Sequence, residues 1–219
     1  MTELKTKELS ATQTKEMFIF VGKKVIESKP LLTEVDSAIG DGDHGIGMSV
    51  GFKKAIENLE KKEFTTVNEV FKTIGMSMIS SMGGASGIIF GTMFVGGIKE
   101  LADTESLDAK TLASIFESAL KAIKARGKAD LGDKTMIDAF QPAVESLKNF
   151  SGDDLLAGLQ AATAQAKVGV ENSKEYIAKF GRAKALGERA IGHQDAGATS
   201  VAIIFESMTN WIEGNVNAN

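Results

Sequence analysis

Apolar side chains recur along this chain at steps of three and four residues and almost never alternate, a periodicity that predicts helices and no substantial sheet. The first amphipathic run covers about residues 12–28, with Phe18, Val21, Val25 and Ile26 on one face and Pro30 marking its end. Beyond a glycine-rich interruption, Met48, Phe52, Ala55, Ile56 and Leu59 trace a second face. Thr66 and Glu69 have the spacing of a capping box ahead of Val70, Phe71, Ile74 and Met78. Residues 86–102 are apolar nearly all round, which suits a helix at the centre of a bundle. Asp108 then reads as the N-cap of a helix whose face is Leu112, Ile115, Phe116, Leu120 and Ile123. A helix over about 134–150 contains Pro142, which kinks it or belongs to its opening turns. The next, over about 153–178, is alanine-rich, with Leu155, Leu159 and Val170 as larger anchors, so it either packs closely or breaks near Gly169. The last, about 198–213, carries Val201, Ile204, Phe205, Met208 and Trp211.

Eight helices with short connections, and no linker or repeat, predict one all-α domain over 1–219. The expected architecture is a single-domain antiparallel bundle or eight-helix barrel, with about 1–11 and 214–219 as loosely ordered tails.

Composition narrows what such a bundle can do. Of 219 residues 43% are hydrophobic and 25% charged, the balance of an ordinary globular domain. Cysteine is absent, which removes disulfide and thiolate chemistry and would leave a zinc site only two histidines and carboxylates. Twenty-five Lys and Arg against 29 Asp and Glu, without a basic run, argue against nucleic acid as a partner. The N-terminus has no apolar signal core, and the longest apolar stretch, about 87–98, is too short and too glycine-rich to span a bilayer. The expectation is a cytoplasmic protein with no membrane partner.

The 23 glycines cluster between the predicted helices, as in loops built to wrap a ligand. The sharpest cluster is Asp36-Ser37-Ala38-Ile39-Gly40-Asp41-Gly42-Asp43-His44-Gly45. Three carboxylates separated by glycines can fold their oxygens around one point, where they would repel one another unless a hard cation is bound. The spacing is not that of an EF-hand, and the flanking glycines leave room for phosphates on Mg²⁺. Taken alone, the same residues also suit an exposed acidic turn at the start of a helix.

Three further clusters have two readings each. Ser80-Ser81-Met82-Gly83-Gly84-Ala85-Ser86-Gly87 precedes a helix, so it can hold an anion with backbone amides or form a tight turn with Ser86 as N-cap. Gly132-Asp133-Lys134-Thr135-Met136 opens a helix but lacks P-loop spacing. The polar stretch from Gly181-Arg182-Ala183 to Ser200 is long for a connection in a compact helical domain, which fits a functional loop or lid as well as a plain surface loop.

Together these segments resemble the DhaL family, the nucleotide-binding L subunits of dihydroxyacetone kinase. The resemblance rests on the acidic loop above and on Gly83-Gly84-Ala85-Ser86-Gly87, Gly91-Thr92, Arg126-Gly127-Lys128-Ala129, Gly132-Asp133-Lys134-Thr135-Met136 and the run from Gly187 to Ser200, in order over nearly the whole chain. It implies an eight-helix barrel with the nucleotide at one end. It implies that Asp36, Asp41 and Asp43 hold two Mg²⁺ ions bridging the phosphates of ADP or ATP. By the same resemblance His44, Gly45, Ile46, Gly47, Ala85 and Ser86 lie along the phosphates, and Gly127, Thr135, Met136, Arg182, Asp195, Ala196 and Gly197 surround the adenosine.

In this family transfer is metal-assisted, the acceptor triose sits on a separate DhaK-type subunit, and no acid or base is expected from this chain. In one version ADP is a retained coenzyme, rephosphorylated by a DhaM-type phosphotransferase-system protein with phosphate from phosphoenolpyruvate; in the other ATP binds and ADP leaves. His44 and the free-standing chain look like the first version. One departure is Gly47, where the family often has Asn, which leaves no side chain there to touch the phosphates. A kinase half acting on another triose or tetrose, a non-catalytic nucleotide sensor and a homodimer stay open.

Overall fold

The computed structural model of the chain describes residues 6–216. Among them are nine α-helices, one 3₁₀ helix and two three-residue strands. Strand β1 (Glu8–Ser10) pairs antiparallel with β2 (Ser106–Asp108), Leu9 opposite Leu107 with both side chains buried. The tail expected over about 1–11 is thus ordered from Glu8, because Leu9 belongs to the core; residues 1–5 lie outside the described residues. At the other end the last helix runs on to Val216, past the expected boundary at 214, and 217–219 lie outside the described residues.

Local signals place most helix starts. Ser10 caps α1 (Ala11–Glu27) through a reciprocal capping box with Gln13. Asp108 caps α6 (Ala109–Gly127) by accepting from Thr111 N at 2.7 Å, and Asp154 caps α8 (Leu155–Ser173) through Leu156 N. Thr66 caps α4 (Val67–Ser81), accepting from Glu69 N; the Glu69 carboxylate reaches back to Thr65 N.

Four boundaries differ from expectation. Pro30 ends the first helix but sits in the opening turn of another, α2 (Lys29–Ile39), where its fixed φ and missing N–H cost nothing. Helix α5 (Gly84–Val95) stops at Gly96 rather than continuing to 102, and α7 (Ile137–Asn149) begins three residues late, after a loop of buried polar side chains. Helix α8 runs unbroken through Gly169 and ends at Ser173, short of 178. Its small residues serve close packing on α7: a Cβ at Gly169 would overlap the Asp138 carbonyl oxygen and come within 2.7 Å of Ala139 Cα. That carbonyl is the one left without its helical N–H partner by Pro142.

Helices α1, α3 (His44–Leu59), α4, α5, α6, α7, α8 and α9 (Ala196–Val216) each pack on the next, and α9 returns to α1, closing a ring of eight. The predicted eight-helix barrel is therefore present, with α2 as an extra helix outside the ring against α3 and α9. Inside the ring, edge-to-face and tilted phenyl contacts run from Phe18 to Phe71 and Phe94, and from Phe71 through Phe116 to Phe140 and Phe205, with centroid separations of 5.1–6.3 Å. All six of these side chains are buried.

Candidate functional site

A cavity of about 850 Å³ opens at one end of the barrel. Because neighbouring helices alternate in direction, four helix N-termini meet there: His44 of α3, Gly84 of α5, Met136 just before α7 and Ala196 of α9 all line it. Each brings backbone N–H groups without intrahelical acceptors and the positive end of a helix dipole. An anion is the natural occupant of such a convergence.

On the same wall stand three carboxylates. Asp36 belongs to the last turn of α2; Asp41 and Asp43 lie on the four-residue loop between α2 and α3. One oxygen from each falls within 4.8 Å of the other two. The loop achieves this at Gly42, whose φ of +76° turns the chain back over Ser37; a Cβ there would come within 2.6 Å of the Ser37 hydroxyl. Asp36 is fixed further by His44 N, which donates to its Oδ2 at 3.2 Å.

The electrostatics follow from the crowding. Burial, then the charges of Asp41 and Asp36, push the Asp43 carboxyl above the usual range, while Arg182 opposes this. Arg182 Nε lies 2.8 Å from Asp41 Oδ2 with its side chain largely in solvent. Three converging carboxylate oxygens, two of them crowding Asp43 with their charge, are the donor set of a hard divalent cation, and the residues present fit Mg²⁺.

Next to the aspartates, burial pushes the His44 imidazole below its usual pKa, which favours the neutral ring. Its Nε2 is 2.8 Å from Ser200 Oγ, and the ring sits 5.7 Å from Phe90. Gly47, one helical turn on from Asp43, lines the cavity with open space in front of it: a Cβ would find only Met82 Cε, at 3.7 Å.

The opposite wall is built from the loop before α7, the start of α9 and the segment leading into the 3₁₀ helix (Arg182–Ala190). The Asp138 carboxylate accepts from Gly132 N and from Thr135 N at 2.7 Å, and so shapes the turn that presents Thr135 and Met136. Asp195 accepts from Ala198 N at 2.7 Å, which caps α9. Burial is the main cause that pushes its carboxyl up to about 7.

Of the residues singled out from the sequence, the structure gathers Asp36, Asp41, Asp43, His44, Ile46, Gly47, Ala85, Ser86, Thr135, Met136, Arg182, Asp195, Ala196 and Gly197 on this one cavity. Two stand apart. Gly45 is buried and faces Thr33 of α2. Gly127, at the end of α6, reaches the cavity only through Ile89, whose Cδ1 would lie 3.3 Å from a Cβ placed on the glycine. Ser86 is in the first turn of α5 and Gly83 takes the cap position, so Ser86 is not the N-cap. Sequence reasoning did not nominate Phe180 and Lys134, which also line the cavity. A phenylalanine inside a polar, glycine-rich stretch was a usable signal for the first; a lysine in a polar motif gives none for the second.

Comparison with known proteins agrees with this geometry. Residues 38–210 match the DAK2 domain. The chain is 42% identical over 187 residues to the ADP-binding subunit DhaL of PEP-dependent dihydroxyacetone kinase 1 of Listeria innocua, covering 85% of this chain and 89% of that protein. It is 38% identical over 202 residues to the ADP-binding subunit DhaL of the PEP-dependent dihydroxyacetone kinase of Escherichia coli, covering 91% and 96%. The crystal structure of the dihydroxyacetone kinase of C. freundii superposes with a TM-score of 0.71 at 26% identity, over 91% of this chain and 34% of that one. No helix of the described residues is long and apolar enough to cross a membrane. With a domain match over most of its length and full-length relatives at this identity, the chain belongs to the DAK2-domain family and, within it, to the DhaL subunits of dihydroxyacetone kinases.

Proposed function

We propose that this chain is the nucleotide-carrying phosphotransferase subunit of a dihydroxyacetone kinase, holding ADP or ATP with two Mg²⁺ ions in the cavity at the open end of the barrel. The observation that carries the reading is the meeting of three carboxylates and four helix N-termini on a single cavity of about 850 Å³. Helix N-termini recruit phosphate and carboxylates recruit cations; both at one place suit a metal–polyphosphate and little else. The relatives that the chain matches over most of their length are named ADP-binding subunits of PEP-dependent dihydroxyacetone kinases.

Asp36, Asp41 and Asp43 would hold the metal. Bound there, Mg²⁺ would supply neutralisation of the phosphate charge. The rest of the work belongs to the chain. His44, Ile46 and Gly47 on α3, with Ala85 and Ser86 on α5, present backbone N–H groups along the phosphates. His44, neutral and turned toward Ser200 Oγ, keeps a positive charge from competing with the cations. Thr135, Met136 and the Asp195–Gly197 turn enclose the adenosine end, and Arg182 stands at the mouth, where it can exchange Asp41 for a phosphate. Transfer of this kind is positioning and charge neutralisation, so the acceptor and its activating groups belong to a separate DhaK-type subunit docked over the mouth. ADP stays bound between turnovers and is rephosphorylated by a DhaM-type phosphotransferase-system protein.

The test is the nucleotide content of freshly purified protein, desalted extensively in Mg²⁺, denatured and chromatographed. Near-stoichiometric ADP supports the retained coenzyme. An empty chain that binds ATP reversibly replaces that step with exchange, and a chain that binds no nucleotide overturns the proposal.

A further inference from the structure

Among the described residues the buried charged side chains are Asp133, Lys134 and Asp138, all within one turn of chain before and into α7. Asp133 is paired with Lys179 at 2.6 Å, and Asp138 holds backbone N–H groups of its own loop. Lys134 does something different. It is 2% exposed, and its φ of +57° is a left-handed conformation that a residue with a Cβ keeps only where its surroundings impose it. Its ammonium donates to the carbonyl of Ser173, the last residue of α8, at 2.6 Å, and to the carbonyl of His193, in the loop before α9.

These two acceptors lead straight to the far wall of the cavity. The Ser173 hydroxyl accepts from Asp195 N at 3.0 Å, and Gly192 N donates to Lys174 O at 2.8 Å, so the end of α8 and the start of α9 form one hydrogen-bonded unit. Lys134 binds that unit to its own loop, whose next two residues are Thr135 and Met136. The two walls meet: a Cβ on Gly197 would lie 3.2 Å from Met136 Cβ and 3.3 Å from Met136 N. An apolar side chain of the same length would fill this space without the cost of burying an ammonium. The charge is kept for what a methionine could not do, which is to hold carbonyls of two separate segments at once.

We infer that Lys134 is a positioning residue for the base end of the bound nucleotide, setting the spacing between the Thr135–Met136 and Asp195–Gly197 walls through Ser173 and His193. The inference rests on the nucleotide reading above. It separates the two ends of the cavity, since the aspartate loop and the starts of α3 and α5 share no hydrogen bond with Lys134 among those described.

Calorimetric binding of Mg–ADP and of Mg–pyrophosphate to the full chain tests it, because pyrophosphate reports on the phosphate end alone. In Lys134→Met, ADP affinity falls roughly tenfold or more, as slight misplacement of binding groups costs, while pyrophosphate affinity stays within about twofold on the same grounds. Ser173→Ala, which loses only the hydroxyl holding Asp195 N, shifts the ratio the same way by a smaller factor. Unchanged ADP affinity in both variants, or equal loss of both ligands, overturns the inference; should Lys134→Met fail to fold, Ser173→Ala decides by the same ratio. A wild-type chain that binds neither ligand refutes the nucleotide reading itself, which unchanged ratios in the variants would leave standing.

Discussion

Asp41 answers to two neighbours at once. Its carboxylate belongs to the cluster that pushes the Asp43 pKa up, and it faces Arg182, which partly offsets that crowding. With a cation bound, the repulsion that the arginine now tempers becomes useful. Asp41→Asn removes one anionic donor while keeping shape, so Mg–ADP affinity should drop by at least the roughly 10–100-fold that losing a mere outer-shell partner costs a metal site. The ligand-free chain should keep its helical circular dichroism and its stability within about 1 kcal/mol, since the pair with Arg182 is solvent-exposed. Titration calorimetry beside a urea melt reads both, and full Mg–ADP affinity in the variant would remove Asp41 from the metal site. Asp195 invites a pH experiment. Its folded-state pKa, about 7, lies above the ordinary 3.8, so the folded chain holds this proton more tightly than the unfolded one. That contribution is fully present below about pH 4 and is lost as pH rises through 7. Asp195→Asn stays neutral and keeps an oxygen to cap α9, so it lacks this slope. Its stability relative to wild type should climb between pH 4 and 7 and level off above; a constant difference from pH 4 to 8 would show that the carboxyl titrates normally.

At the scale of elements, the helices legible in the sequence were those that face the core along a whole side. Helix α2 escaped because it is only eleven residues long, follows α1 with Ser28 alone between them and runs into the glycine-rich acidic loop; it lies on the outside of the ring with only Leu32 and Ile39 buried. Pro30 also reads equally well as a stop and as a start. Of the site, the glycine-rich loops were legible because their composition is local, and Phe180 beside one of them was a usable signal, whereas Lys134 was not, since its place depends on which segments the ring brings together. Gly169 shows the same limit from the other side: a glycine in an alanine-rich helix reads as a weak point, and packing makes it a point of closest approach. Gly169→Ala should therefore destabilise the chain by about 1–3 kcal/mol or more through overlap with α7, the reverse of the gain in helix propensity expected at an exposed position. A lowered urea midpoint with an unchanged slope is the expected reading, and a raised midpoint would mean that α7 and α8 are further apart than described.

For the whole molecule, the closed ring separates two jobs along the barrel axis. The aromatic interior holds the eight helices together, and the cavity at one end uses their N-termini without drawing on the six phenylalanines of that interior, Phe90 and Met136 being the buried core residues that reach the cavity. Phe116 is a test of that separation, because it touches Phe71, Phe140 and Phe205 and does not line the cavity. Truncation to alanine should cost about 3–5 kcal/mol, a large share of the roughly 5–15 kcal/mol that a domain has in total. If the helix N-termini keep their places, the folded variant binds Mg–ADP as wild type does, and saturating ligand restores the same increment in both, about 2.7 kcal/mol at a hundred times the dissociation constant. Thermal melts of wild type and Phe116→Ala across a Mg–ADP titration should then give parallel curves displaced by the core penalty. Converging or diverging curves would mean that the interior and the cavity are energetically coupled, and that the barrel is a transmitting element between its aromatic centre and its nucleotide end rather than a rigid frame.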